Sequence, residues 1–98
     1  MLPLSSDKFE MGKVVMTSTI NNEIADNEKF TKEILIALRR YTNCDWGDLE
    51  ESDKNLNDEA VKSGENRILA AFSTSEGRVY IITECDRSYT TILFCNEY

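Results

Sequence analysis

Carboxylates are concentrated in one short segment of the chain. Between Asp45 and Glu59 the sequence holds seven carboxylates and one lysine, which gives this segment a net charge of −6 out of −7 for the whole chain. The same segment contains the single tryptophan. Such a segment can hold Ca²⁺, form a solvated helix face, or present an anionic surface to a basic partner protein. For the third interpretation, the candidate partner-binding residues are Asp45, Trp46, Asp48, Glu50, Glu51, Asp53, Asp58 and Glu59.

The spacing of these carboxylates argues against calcium. An EF-hand loop needs acidic residues at positions one, three and five, glycine at six and glutamate at twelve, and this segment does not meet that pattern. We therefore predict no metal site. The other two interpretations remain open. An exposed Trp46 would favour the recognition surface, because tryptophan often anchors interfaces, whereas a Trp46 packed under a helix would favour a solvated face.

A second group of reactive side chains lies in the predicted turn Glu84-Cys85-Asp86-Arg87-Ser88. A carboxylate of Glu84 or Asp86 acting as a base, with Arg87 as an anion clamp, would form a small catalytic or ligand-binding site. The simpler interpretation is that Asp86 caps the turn while Arg87 pairs with a neighbouring carboxylate.

Several chemistries are disfavoured by composition. The chain has no histidine, which removes Ser-His and Cys-His nucleophile pairs and histidine-based zinc sites. It carries no glycine-rich phosphate loop, nucleophile elbow or dinucleotide fingerprint. Three cysteines without a Cys-x-x-Cys pair indicate reduced thiols, and a net charge of −7 disfavours direct nucleic-acid binding. We predict a non-enzymatic protein without a cofactor.

The length of 98 residues predicts one domain, which we place at residues 11–98 after an N-terminal arm of residues 1–10. The apolar runs are far shorter than the ~20 residues that span a bilayer. The N-terminus lacks the basic region and apolar core of a signal peptide. We therefore expect a cytoplasmic protein that does not enter a membrane.

The first half of the chain predicts a short strand and one well-defined helix. Residues 12–17 are β-like, and residues 18–24 fit a single helical turn. A helix is predicted from about residue 28 to residue 41, with Asp26 or Asn27 as its N-cap. Its apolar stripe consists of Phe30, Ile34, Leu35, Leu38 and Tyr41.

A second, mostly polar helix is predicted over residues 53–63. Ser52 would be its N-cap, and Gly64 would end it. The apolar residues available for its buried face are few: Leu49, Leu56, Ala60 and Val61. This helix should therefore lie on the surface and carry part of the acidic segment.

The last third of the chain predicts three strands, at residues 67–73, 78–84 and 89–95, joined by turns at 74–77 and 86–88. Short connections between strands indicate an antiparallel meander. The predicted fold class is therefore α+β: a three-stranded meander, with a short N-terminal strand, packed against two or three helices. Because both faces of the strands carry apolar residues, we expect helices on one face and partial cover on the other.

Several longer motifs resemble a known group of sequences. They are Met11-Gly12-Lys13-Val14-Val15, Asp45-Trp46-Gly47-Asp48-Leu49, Asp53-Lys54 with Asn57, Arg67-Ile68-Leu69, the run from Ile81 to Phe94, and Glu97-Tyr98. With these motifs, residues 9–98 resemble a family of small plasmid-related proteins from mobile elements of Gram-positive gut bacteria. The chain departs from that pattern at Cys85 and Cys95, where the resemblance leads us to expect Ala and Pro.

The resemblance implies a genetic setting, that of a mobile element, rather than an activity. Small acidic proteins on mobile elements are often inhibitors of host defence, of the anti-CRISPR or antirestriction type, and this is an argument by analogy. We predict a non-enzymatic acidic domain whose segment from Asp45 to Glu59 occupies the basic groove of a protein partner, a nuclease such as a CRISPR effector. The alternative is a small enzyme or ligand-binding module centred on Glu84, Asp86 and Arg87. A third possibility is a dimer formed by pairing of edge strands.

Overall fold

One mixed sheet and three helices make up residues 5–98, which are the residues that the computed structural model describes. The strands are β1 (Lys13–Met16), β2 (Ile68–Thr74), β3 (Gly77–Thr83) and β4 (Tyr89–Phe94). The helices are α1 (Ser18–Asp26), α2 (Glu28–Thr42) and α3 (Glu51–Ser63), and a 3-10 turn follows at Cys95–Glu97. The first four residues of the predicted N-terminal arm lie outside the described part of the chain.

The predicted α+β meander is confirmed. Strands β2, β3 and β4 are antiparallel neighbours, and the full order in the sheet is β1-β4-β3-β2. The short N-terminal strand is also present, and it pairs in parallel with β4, with Val14 opposite Thr90. A parallel pair needs a long crossover, and here the chain between β1 and β4 includes all three helices.

The core lies between the helices and one face of the sheet. Four residues of the stripe predicted for α2, Phe30, Ile34, Leu38 and Tyr41, are fully buried, whereas Leu35 is only half-buried. Alternate residues of the strands face this stripe. The sheet contributes Ile68, Ala70, Phe72, Val79, Ile81 and Ile92. Phe9 joins this core, its ring 5.5 Å from that of Tyr41, so packing begins inside the segment that we predicted as an arm.

A chain of buried hydroxyl groups crosses this core. The Tyr41 hydroxyl lies 2.6 Å from Thr83 Oγ1, which lies 2.7 Å from Thr90 Oγ1, and Thr90 donates to the Met11 carbonyl at 2.6 Å. The Thr90 hydroxyl donates its proton to Met11, so Thr83 must be the donor to Thr90. The Thr83 proton is then also in use, so Tyr41 must be the donor to Thr83. Burial also raises the pKa of Tyr41 above its ordinary value, so the phenol stays a donor.

The opposite face of the sheet carries Tyr80, Ile82 and Leu93, and the end of the chain covers part of it. Tyr98 packs edge-on against Tyr80, with ring centroids 5.6 Å apart. The Arg67 guanidinium lies 5.5 Å from the centre of the Tyr98 ring. The expected partial cover therefore comes from the C-terminal residues.

Several predicted boundaries need correction. The helix α3 begins at Glu51 with Glu50 as N-cap, so Ser52 lies in its first turn and is not the cap. The predicted end at Gly64 is confirmed, with φ of +72°. The single turn predicted at residues 18–24 is the nine-residue helix α1, because the Thr17 side chain caps it by accepting from the Ile20 N–H.

Candidate functional site

The acidic segment, Asp45 to Glu59, runs from the end of α2 along the edge of the sheet into α3. At its start, Arg40 donates to both carboxylate oxygens of Asp45, at 2.8 and 3.2 Å. These bonds lower the pKa of Asp45 and raise that of Arg40. Both side chains are about half exposed, so the pair adds little stability. The Arg40 guanidinium thus already neutralises the negative charge of Asp45 within the domain.

Trp46 lies in the core, with 2% of its surface exposed. Its ring packs edge-on against Tyr41 at 5.5 Å, and its indole N–H donates to Asp58 Oδ1 at 2.9 Å. This burial excludes Trp46 as an exposed interface anchor, and by the criterion given above it favours a solvated face over a recognition surface. The residue instead joins the start of the acidic segment to α3 and to the core.

Gly47 and Asp48 attach the segment to the edge of β2. The Ala71 N–H donates to the Trp46 carbonyl at 3.3 Å, and the Asp48 N–H donates to the Ala71 carbonyl at 2.7 Å, which makes a one-residue parallel bridge at Gly47. The Asp48 carboxylate then accepts from the N–H and the hydroxyl of Ser73, at 3.1 and 2.8 Å. Asp48 therefore has a bracing role within the domain.

Asn57 completes this edge from α3. Its side-chain amide donates to the Leu69 carbonyl at 2.8 Å and accepts from the Leu69 N–H at 3.2 Å, as a neighbouring strand would. Groups from outside the sheet thus bond β2 at Leu69, Ala71 and Ser73. This arrangement opposes pairing of β2 with another chain, since open edge groups are what such pairing needs.

Replacing Asn57 with Ala is expected to lower the free energy of unfolding by about 1–2 kcal/mol, because two backbone hydrogen bonds at Leu69 are lost. Urea denaturation of the variant would measure the change. The matched control is Asn55→Ala, which alters an exposed residue of the same helix. An equal effect of the two substitutions would contradict the bracing role of Asn57.

Four carboxylates of the segment remain exposed and outside the hydrogen bonds described above. Within residues 5–98 the one ion pair joins Arg40 to Asp45. The exposed carboxylates of the segment with neither an ion pair nor a side-chain hydrogen bond are Glu50, Glu51, Asp53 and Glu59. The predicted binding set is therefore divided, since Asp45, Asp48 and Asp58 bond to other groups of the domain.

Leu56 is 62% exposed, which corrects its predicted place on the buried face of α3. The helix faces the edge of the sheet through Asn57 and Ala60, and this orientation leaves Leu56 outside the contact. A groove of about 520 Å³ runs beside it, between α3 and β2. The residues lining it are Leu49, Asp53, Leu56, Asn57, Glu59, Asn66, Arg67 and Leu69.

In the turn from Glu84 to Ser88, Arg87 bonds to backbone carbonyls of the domain and not to the neighbouring carboxylate that the simpler interpretation expected. The Arg87 guanidinium donates to the carbonyls of Ala60 and Asn66, at 2.9 and 2.7 Å, and thereby ties the end of α3 to this turn. Asp86 is exposed, and hydrogen bonds from Ser88 lower its pKa, which makes its carboxylate a weaker base than an ordinary aspartate. The turn therefore braces the end of α3.

The remaining observations concern other classes of site. No group of three or more potential metal ligands occurs among residues 5–98. The thiols of Cys44, Cys85 and Cys95 are free, and burial raises the pKa of Cys44. Each helix among residues 5–98 is too short or too polar to span a bilayer.

Comparison of the chain with protein-family models, curated proteins and solved structures returned no match.

Proposed function

We propose that this chain is a non-enzymatic acidic domain that binds the basic groove of a partner protein and blocks it. The observation that supports this most directly is the group Glu50, Glu51, Asp53 and Glu59, whose carboxylates are exposed and have no ion-pair partner among residues 5–98. We name this group the free carboxylates. A groove that binds nucleic acid is rich in lysine and arginine, and the free carboxylates would occupy the places of phosphates in it.

Electrostatics favours such a complex in two ways. Opposite charges steer two proteins together and raise the association rate. Carboxylates that hold no internal ion pair can also accept a partner's lysine or arginine without first breaking a bond within the domain.

Hydrogen bonds fix the backbone that carries the free carboxylates. The bonds from Trp46 to Asp58, from Ser73 to Asp48 and from Asn57 to Leu69 attach the segment to the core and the sheet. A preorganised surface loses less conformational entropy on binding than a loose one. The free carboxylates therefore start from a backbone that is already in place.

The resemblance to plasmid-related proteins of mobile elements suggests the class of partner. A host defence nuclease, of the CRISPR or restriction type, has the basic nucleic-acid channel that the proposal requires. We therefore propose inhibition of a nucleic-acid-handling defence enzyme in the cytoplasm of the host.

The test is capture of proteins from host lysate by the immobilised chain at about 50 and about 300 mM salt, a range over which screening of exposed charges increases strongly. The variant to compare carries Glu50→Gln, Glu51→Gln, Asp53→Asn and Glu59→Gln. Asp48 is left intact because its carboxylate already accepts two bonds from Ser73 and is therefore not one of the free carboxylates. We expect the wild-type chain to retain a basic nuclease or other nucleic-acid-binding protein at low salt, and the variant to retain much less.

The matched control neutralises four exposed carboxylates outside the acidic segment, through Asp7→Asn, Glu10→Gln, Asp26→Asn and Glu76→Gln. It changes the net charge equally, so it should capture the partner almost as well as the wild type. If the two variants capture the partner equally, net charge alone explains the binding and the proposed surface is wrong.

A further inference from the structure

The groove between α3 and β2 combines an apolar lining with an acidic rim. Leu49 and Leu69 are half-buried in it, and Leu56 stands at its side with 62% of its surface exposed. Its volume of about 520 Å³ lies within the range of about 300–1,000 Å³ that is usual for ligand sites. An exposed leucine beside half-buried ones is suited to contact with another apolar group.

The charges at the groove restrict what that group can belong to. Asp53 and Glu59 line it on the side of α3, and they are two of the free carboxylates. With Leu56 they are spaced three residues apart, which places all three on neighbouring positions of one helix face. The one basic residue of the lining, Arg67, donates to the Tyr98 hydroxyl, and its guanidinium lies over the Tyr98 ring.

We propose that this groove binds a basic segment of the partner protein that inserts one large aliphatic side chain between lysine or arginine residues. The aliphatic side chain contacts Leu49, Leu56 and Leu69, while its basic neighbours pair with Asp53 and Glu59. The inference rests on the proposed function, because it names the feature of the partner that the acidic surface would recognise. A central apolar anchor within a charged rim is a common arrangement in protein interfaces.

The probe is a synthetic ten-residue peptide with one central leucine between two arginines on each side, compared with the same peptide in which serine replaces leucine. Binding is followed by isothermal titration calorimetry and by the NMR signals of the leucine methyl groups. We expect the leucine peptide to bind about tenfold more tightly, as burial of a leucine side chain implies. It should also shift the methyl signals of Leu49, Leu56 and Leu69.

Three variants separate the apolar contribution from the charge contribution. The substitution Leu56→Ser should remove the preference for the leucine peptide, whereas Ile36→Ser, at an isoleucine of α2 that is 57% exposed, should leave it unchanged. The double substitution Asp53→Asn and Glu59→Gln should weaken both peptides. Leu56 and Ile36 are exposed, so these two replacements leave the core intact.

Equal affinity for the two peptides, or no binding of either, would overturn the groove proposal. Equal but salt-sensitive affinity would leave the acidic surface in place as the binding feature. The capture experiment with the four-carboxylate variant tests that surface independently, so failure of the groove and failure of the proposed function give different results.

Discussion

Replacing Gly47 with Ala is expected to destabilise the protein by about 3 kcal/mol or more, because steric overlap and left-handed backbone strain add at this residue. The φ angle of Gly47 is +74°, which residues with a side chain adopt at a cost. An added Cβ would lie 2.0 Å from the Ala71 carbonyl oxygen and 2.8 Å from Cδ1 of Phe72. Relief of this overlap would separate the acidic segment from β2.

The matched control is Gly64→Ala at the end of α3. Gly64 has almost the same φ angle, +72°, yet an added Cβ there would meet no atom within 4 Å. The expected cost is about 1–2 kcal/mol, that of the left-handed backbone alone. Urea denaturation of both variants measures the difference, and equal destabilisation would show that the bridge between Gly47 and Ala71 is not the tight contact described above.

Replacing Thr83 with Val is expected to lower the free energy of unfolding by about 2 kcal/mol, because a buried donor loses its acceptor. Valine has nearly the shape of threonine, so the change removes the hydroxyl and leaves the packing. The Tyr41 hydroxyl, which donates to Thr83 at 2.6 Å, would then have only the Ile68 carbonyl at 3.5 Å. Thr90 would lose the proton that it accepts from Thr83.

The direction of donation in this hydroxyl chain predicts an order among variants. Tyr41→Phe removes the terminal donor and leaves Thr83 still donating to Thr90, so it should cost about 1 kcal/mol, less than Thr83→Val. Thr91→Val, on the opposite face of β4, should have little effect. Thermal or urea unfolding would measure all three, and a smaller effect of Thr83→Val than of Tyr41→Phe would contradict the assigned direction.

Local patterns account for the parts of the fold that the sequence predicts correctly. The spacing of Phe30, Ile34 and Leu38 defines the buried face of α2, because helical periodicity acts over a few residues. The turns at residues 74–77 and 86–88 likewise define the meander. The parallel partner of β1 could not be read in this way, since Val14 and Thr90 are brought together by a crossover that contains all three helices.

The candidate site was likewise predictable only in part from the sequence. Composition alone locates the acidic segment, but only geometry separates carboxylates that brace the domain from those that are free. Asp48 accepts a hydrogen bond from Ser73 and Asp58 accepts one from Trp46, whereas Glu59 accepts no such bond. One signal was available: Asn57 occupies a position of α3 that faces inward with Ala60, and a polar residue there indicates a bond to backbone.

The central claim is that the free carboxylates attract a basic partner protein. Its most direct test uses the protein that the immobilised chain captures at low salt, once purified. Biolayer interferometry would measure its association rate constant with the chain as the ionic strength is varied. For the wild-type chain we predict that the rate falls by about tenfold or more between low and high salt, as for electrostatically steered complexes. The variant lacking the charges of Glu50, Glu51, Asp53 and Glu59 should associate slowly at every salt concentration. Equal rates for the two proteins, with the same dependence on salt, would contradict the claim that these carboxylates attract the partner.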